Sequence, residues 1–240
     1  MNARMAGLAF AALAATTGTV ARADDVSVER IDRVPLNSVR AGLYYVSFHV
    51  SATDVSGPYI PPNSGLNLGL KDVTTAYFAY VRTLSPHWGV ELTLGLPPVT
   101  TTVGKGPPTV GSVPYNGQEL LTARWLAPSL LLEYTFLDES APLRPYLGGG
   151  VNYTKFYDRR ITPQGEAVAG GPTSVSLPVS VSPTVTFGLA YQVTKHFGLY
   201  ASYSWSEVHT HATLDTAGNI RTSYIHFNPT PLVIAAGYSF

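Results

Sequence analysis

The chain has 240 residues, with 15 Lys+Arg against 15 Asp+Glu, no cysteine, only 12% charged residues and 11% aromatic residues. Without cysteine there is no disulfide framework and no thiolate metal centre. Sparse, balanced charge excludes a basic surface that holds nucleic acid by counterion release, and it falls well below the roughly 25% of a typical soluble domain.

Arg4, an apolar alanine-rich run from Met5 to about Val20, and Ala21-Arg22-Ala23 ahead of Asp24-Asp25 have the parts of a cleavable secretory signal over residues 1–23. The run is too short to serve as a membrane anchor. Its removal takes away Arg4 and Arg22 and no acid, leaving 13 Lys+Arg against 15 Asp+Glu, a net charge of −2. No later segment approaches the roughly 20 apolar residues that a membrane helix requires. A closed β-barrel over residues 24–240 is then the membrane architecture open to an exported, charge-poor, aromatic-rich chain, and a single soluble domain of similar length is its competitor.

Residues 24–37 are polar and read as a periplasmic lead-in. Leu43, Tyr44, Tyr45, Val46, Phe48 and Val50 form the first strand, whose alternation is too blurred to assign faces. Gly57 to Asn63 contains three prolines and reads as a loop, because proline gives a ladder no donor. A second, equally blurred strand spans 66–83. In the third, Trp88, Val90, Leu92, Leu94 and Leu96 alternate with Gly89, Glu91, Thr93 and Gly95, so Glu91 points inward. Pro97-Pro98 ends the regular part, and residues 104–118 read as a long Gly/Pro-rich loop.

The fourth strand runs to Phe136, with Leu130, Leu132, Tyr134 and Phe136 on one face and Ser129, Leu131, Glu133 and Thr135 on the other. In the fifth, Leu147, Gly149, Val151 and Tyr153 face out and Tyr146, Gly148, Gly150, Asn152 and Thr154 face in. Residues 158–182 read as the longest loop. The sixth strand presents Val185, Phe187, Leu189, Tyr191 and Val193, and the seventh presents Phe197, Leu199, Ala201, Tyr203 and Trp205. After a polar turn near 215–219 the last strand carries Leu232, Ile234, Ala236, Tyr238 and Phe240 against Val233, Ala235, Gly237 and Ser239.

This pattern predicts an all-β fold, an eight-stranded antiparallel transmembrane β-barrel in the bacterial outer membrane. Its connections alternate long and short, as tight periplasmic turns and large outer loops demand. At about 3.3 Å per residue and a tilt of about 40°, the stretch from Phe197 to Trp205 covers roughly 20 Å of height. Trp88, Phe197, Trp205, Tyr238 and Phe240 are the expected membrane girdle, in contact with outer-membrane lipid. The strand ending on Phe240 is the segment expected to meet the outer-membrane assembly machinery.

Leu126-Ala127-Pro128-Ser129-Leu130 through Tyr134-Thr135-Phe136, then Arg144-Pro145-Tyr146-Leu147-Gly148-Gly149-Gly150-Val151-Asn152-Tyr153-Thr154, and the ending Asn228-Pro229 to Phe240 resemble the OmpW/AlkL family of outer-membrane proteins. The resemblance implies an eight-stranded barrel with a narrow, largely apolar channel that admits small hydrophobic molecules and releases them sideways into the membrane. Two departures touch the channel. The family usually has two prolines where this chain has Ala127-Pro128, and a tryptophan after an Asp-Pro where this chain reads Asn228-Pro229-Thr230-Pro231.

Inward parity nominates Trp125, Phe156, Val208 and Phe227 as apolar lining of a path for small hydrophobic ligands, with plain lumen filling as the alternative role. Glu91 and Glu133 face inward at similar heights. Such a pair can serve acid–base catalysis, but in a narrow lumen it more often forms a structural network, here with Arg40 or Arg82 as partner. His209 and His211 share a strand face, and a two-residue turn at 217–218 or 218–219 sets His226 opposite one of them, so that three imidazoles could converge on a metal. Extracellular histidines are more often ordinary polar groups, and the expectation is no resident metal or cofactor. No Ser-His-acid spacing rises above chance, so catalytic residues are not expected. Besides uptake, the alternatives are a non-transporting barrel whose loops act as a receptor or adhesion surface, and a lipid-modifying outer-membrane enzyme. A lipocalin-like carrier would instead bury the faces holding Tyr203, Trp205, Leu232 and Ile234.

Overall fold

The computed structural model describes residues 35–240; the signal expected over 1–23 and most of the polar lead-in lie outside the described residues. In chain order the elements are β1 (Asn37–Ala52), β2 (Asn67–Leu70), β3 (Val73–Thr83), β4 (Trp88–Gly95), β5 (Val99–Lys105), β6 (Thr109–Val110), β7 (Val113–Pro114) and β8 (Glu119–Leu126). They continue as β9 (Ser129–Thr135), β10 (Leu143–Ile161), the helix α1 (Pro163–Ala169), β11 (Thr173–Ser176), β12 (Ser180–Gln192), β13 (Phe197–Ser206), β14 (Val208–Thr216) and β15 (Asn219–Ser239).

Strands β1, β3, β4, β9, β10, β12, β13 and β15 pair antiparallel in that order, and β15 returns to β1 from Ser38↔Ser239 to Ala52↔Ile225, closing an eight-strand ring. Closure leaves the ring no unpaired edge, the condition for a sheet to stand in hydrocarbon. Period-two alternation decides what each face carries. On β15, Leu232 and Ile234 are 45% and 64% exposed, while Val233 and Ala235 are 5% and 4% exposed. Phe197, Leu199, Tyr203 and Trp205 likewise point outward from β13. A soluble carrier would bury these side chains, so the lipocalin-like alternative is excluded.

Aromatics gather at the end of the barrel where the Asn37 amide bonds the Phe240 carbonyl at 3.0 Å. Trp88 packs edge-on to Tyr134 at 5.0 Å between centroids, and Phe197 packs on Tyr238 at 5.1 Å. Trp205 lies at the other end of β13, so indole and phenyl groups bracket the outward aliphatic band as interfacial rings do.

Four elements differ from the sequence reading, each for a local reason. The strand expected over 66–83 is broken at Lys71-Asp72, because the Asp72 carboxylate accepts from the Tyr45 hydroxyl at 2.7 Å and from the Phe48 amide at 3.1 Å. β2 therefore leaves the ring and pairs with β5. The fourth strand is split at Ala127-Pro128, where proline offers no donor and the Asn152 amide satisfies the Ala127 carbonyl at 3.3 Å instead.

Pro97-Pro98 does not end regular structure: the threonine-rich β5 begins at Val99 with Thr100 and Thr102 buried, and β6–β7 form a small hairpin within the expected loop. The expected loop over 158–182 holds the end of β10, α1 and β11. α1 starts because Thr162 caps it, its Oγ1 accepting from the Gly165 amide at 2.9 Å with Pro163 next in the first turn, and it stops at Gly170 with φ 86°. Together these pieces raise the wall beyond the membrane band. β8 joins the upper part of β10 and β5 on one side, and the β14–β15 hairpin with β11 on its edge rises on the other.

Candidate functional site

Two layers fill the ring. Nearer the Asn37–Phe240 end, Arg40 from β1 pairs with Glu91 from β4 and stands 3.7 Å from Glu133 of β9. The Tyr77 hydroxyl donates to Glu91 Oε1 at 2.8 Å, and the guanidinium lies 4.1 Å from the Tyr200 ring centroid and 5.6 Å from that of Tyr146. The two glutamates are the inward acids expected from parity, and Arg40 is their partner. Arg82 instead donates to Asn37 Oδ1 at 2.7 Å on the exposed side. Small residues leave room for this layer. A Cβ at Gly188 would lie 2.2 Å from the Tyr146 ring, and one at Gly237 would lie 2.7 Å from that of Tyr200. A buried cation with two acids and three tyrosines around it makes a plug of side chains across the lumen at that level.

Above the plug is a cavity of about 340 Å³. Trp125, Phe156, Val208 and Phe227, the four residues nominated from parity, all line it. Phe48 stands edge-on to Trp125 at 6.3 Å and to Phe227 at 6.0 Å, and Phe156 meets Phe227 at 6.3 Å. The Trp125 indole donates to Thr100 Oγ1 at 2.7 Å, which removes its one polar atom from competition and leaves ring faces towards the cavity. Val168 and Ala169 of α1 and Tyr115 reach the same space from the loop end. The Tyr115 hydroxyl donates to the Asn67 carbonyl at 2.6 Å, and burial, with the negative charge of Asp54 second, pushes this phenol up to about 12.

Phe48, Leu68, Leu70, Leu121 and Ile225 also line the cavity. Sequence reasoning missed them because β1 gave no readable faces and β2 and β8 hid inside longer segments. The alternation of Val208 to Ala212 was the signal that could have placed their neighbours.

The wall has a seam. Pairing of β4 with β9 ends at Thr93↔Ser129, after which β8 turns away to β5 and β10. A small recess of about 10 Å³ lies there between Gly95, Leu96, Pro98 and Ala127, and it shares Tyr44, Tyr77, Thr93 and Trp125 with the large cavity.

Ala217 and Gly218, with φ 51° and 85°, form the two-residue turn that pairs His209 with His226. The three imidazoles that could have converged do not: His211 falls opposite Tyr224 and stacks on it at 5.2 Å, and Glu207 stands beside His209 and His226 in its place.

A profile of the OmpW family matches residues 36–240. The chain is similar to Outer membrane protein W of Vibrio cholerae, 29% identical over 115 residues that make up 48% of this chain and 52% of that protein. It is also similar to the dibenzothiophene metabolism operon protein PahQ of Pseudomonas aeruginosa, 30% identical over 50% of this chain and 53% of that protein. Each alignment thus spans about half the relative's length. The crystal structure of the outer membrane protein OprG from Pseudomonas aeruginosa superposes with a TM-score of 0.73 at 22% identity, over 85% of this chain and 95% of that one.

Proposed function

Because the chain belongs to the OmpW family of outer-membrane proteins, we propose that this barrel admits small hydrophobic molecules passively from the cell exterior and releases them sideways into the outer membrane. The observation that carries the reading is the stacking of an apolar cavity on a buried ion pair. A solute entering from the loop end meets Phe48, Trp125, Phe156 and Phe227, then finds the way towards the periplasm filled by Arg40, Glu91 and Glu133. An apolar molecule gains nothing by displacing that layer, since breaking a buried ion pair costs about 3–5 kcal/mol. The seam beside Ala127 leads from the same cavity towards the lipid, where the solute is at home.

The cavity volume suits a small organic molecule. PahQ, by its name, belongs to an operon for the metabolism of dibenzothiophene, a fused aromatic, which supports a substrate of that character. The recess at the seam, at about 10 Å³, has about the size of one water, so release widens it. The proposed activity is transport without bond making, and it calls for no catalytic residue or cofactor.

The test is transfer of an apolar fluorescent aromatic through the purified barrel in liposomes, beside uptake by a deletion strain carrying the gene or lacking it. Ala127→Trp places an indole in the seam; it should slow both transfers severalfold while the folded barrel still migrates as such on an unheated gel. Equal uptake by the deletion strain and its parent would sink the proposal.

A further inference from the structure

The face of the β14–β15 hairpin that points away from the cavity carries a group of side chains that uptake does not use. We propose that Glu207, His209 and His226 bind one divalent transition-metal ion of the zinc type. His226 Nε2 lies 3.0 Å from His209 Nε2 and 3.1 Å from Glu207 Oε1, and His209 Nε2 lies 3.4 Å from the same oxygen. Three potential donor atoms thus form a nearly equilateral triangle.

The dimensions and the chemistry both select a metal class. Bonds of about 2.0–2.2 Å in a tetrahedral site hold nitrogen and oxygen donors about 3.3 Å apart, and each edge of the triangle is within about 0.3 Å of that. Imidazole with one carboxylate suits zinc and its neighbours, whereas calcium and magnesium take all-oxygen sets and copper(I) prefers sulfur. The two facing Nε2 atoms cannot both present lone pairs to each other: either one ring donates its N–H to the other or a cation stands between them. The hydrogen bond joins the two rings alone; a metal ion joins both histidines and the carboxylate together.

The chain holds the triangle in advance. Cross-strand pairing fixes His209 against His226, their rings 3.8 Å apart. Glu207 occupies the one position between the end of β13 at Ser206 and the start of β14 at Val208, where a break in the ladder lets its carboxylate reach up to the imidazoles. The side chains of Glu207, His226 and His209 are 38%, 46% and 64% exposed, so an ion can arrive from outside and a fourth coordination position stays open to water. The inward neighbours Val208 and Phe227 line the cavity. A bound ion would therefore brace the stretch of wall behind the substrate path and tie the β13–β14 junction to β15.

The experiment uses the full chain without a polyhistidine tag, purified in detergent micelles and treated with a chelator that is then removed. Calorimetric titration with zinc chloride should show one ion per chain. His209→Ala and His226→Ala should each weaken binding by at least about tenfold, while His211→Ala should leave it unchanged. Cobalt(II) in place of zinc should give the intense visible absorption of a four-coordinate site, lost in the same two variants. Should either alanine variant fail to migrate as a folded barrel, His209→Gln and His226→Gln replace them, keeping bulk across the pair. No zinc uptake by the parent chain, or equal uptake by parent and variants, overturns the proposal and leaves a hydrogen-bonded surface cluster.

Discussion

The inner face of a single strand changes character along its length. On β1, Arg40 sits in the plug at one end while Phe48 lines the cavity at the other. The same contrast runs round the barrel. The lower half gathers one guanidinium, two carboxylates and three phenols around glycines, and the upper half gathers indole, phenyl and aliphatic groups around empty space. Parity decides whether a residue faces lipid or lumen; height decides what it meets there. Below, polar groups and small residues make a closed layer whose parts hold one another. Above, bulky apolar groups leave a volume that none of them fills, which is how a lumen of this width keeps a cavity.

The sharpest break of that contrast comes from the plug. Arg40→Met leaves two buried carboxylates without their cation and should lower the barrel's resistance to urea in detergent by about 3–5 kcal/mol. Adding Glu91→Gln and Glu133→Gln to the same chain should recover much of that loss. If Arg40→Met unfolds at the parent's urea concentration, the plug is not a structural layer. Filling the plug's spare room comes next. Gly188→Leu drives a side chain into the Tyr146 ring and should cost about 1–3 kcal/mol through overpacking. Tyr146→Ala should relieve this only when combined with it, and thermal melts followed by circular dichroism measure both.

The smallest effect lies at the loop end. Tyr115 donates to Asn67, and its phenol is raised from the usual value near 10 to about 12. A raised folded value means that the contribution is complete below about pH 10 and fades as pH climbs through about 12. Tyrosinate absorbance should accordingly show one late-titrating phenol fewer in Tyr115→Phe than in the parent, with the melting of the barrel below unchanged. Late titration that survives the substitution would place the burial elsewhere.

Much of this was legible from spacing alone. Where a strand carries large apolar residues at every second position, as from Phe197 to Trp205 or Leu232 to Phe240, lipid and lumen faces follow directly. The inward acids Glu91 and Glu133 and the lining residues Trp125, Phe156, Val208 and Phe227 came from the same rule. What stayed hidden was set by single tertiary hydrogen bonds. Asp72 ends β2 by reaching Tyr45 and Phe48, and Asn152 covers the gap at Ala127. Neither contact leaves a periodic trace. Polar strands hid for another reason: beyond the membrane, β5 buries threonines, so its alternation lacks the hydrophobic contrast that marks a strand in lipid. Glu207 was overlooked because it belongs to the break between two strands, while parity reasoning ranks only residues within them.

Seven residues build the Arg40 layer, if Gly188 is counted with Tyr77, Glu91, Glu133, Tyr146 and Tyr200, and they come from seven different strands. The arginine stands on β1, one lip of the joint that the first and last ring strands make. Arg40 and Glu91 are joined through the sheet β1–β3–β4, whereas Tyr200 on β13 lies across that joint and covers the guanidinium in the closed ring. The aromatic cover of the arginine thus belongs to the completed cylinder: an open sheet would leave these charges wet, and the closed ring keeps them dry.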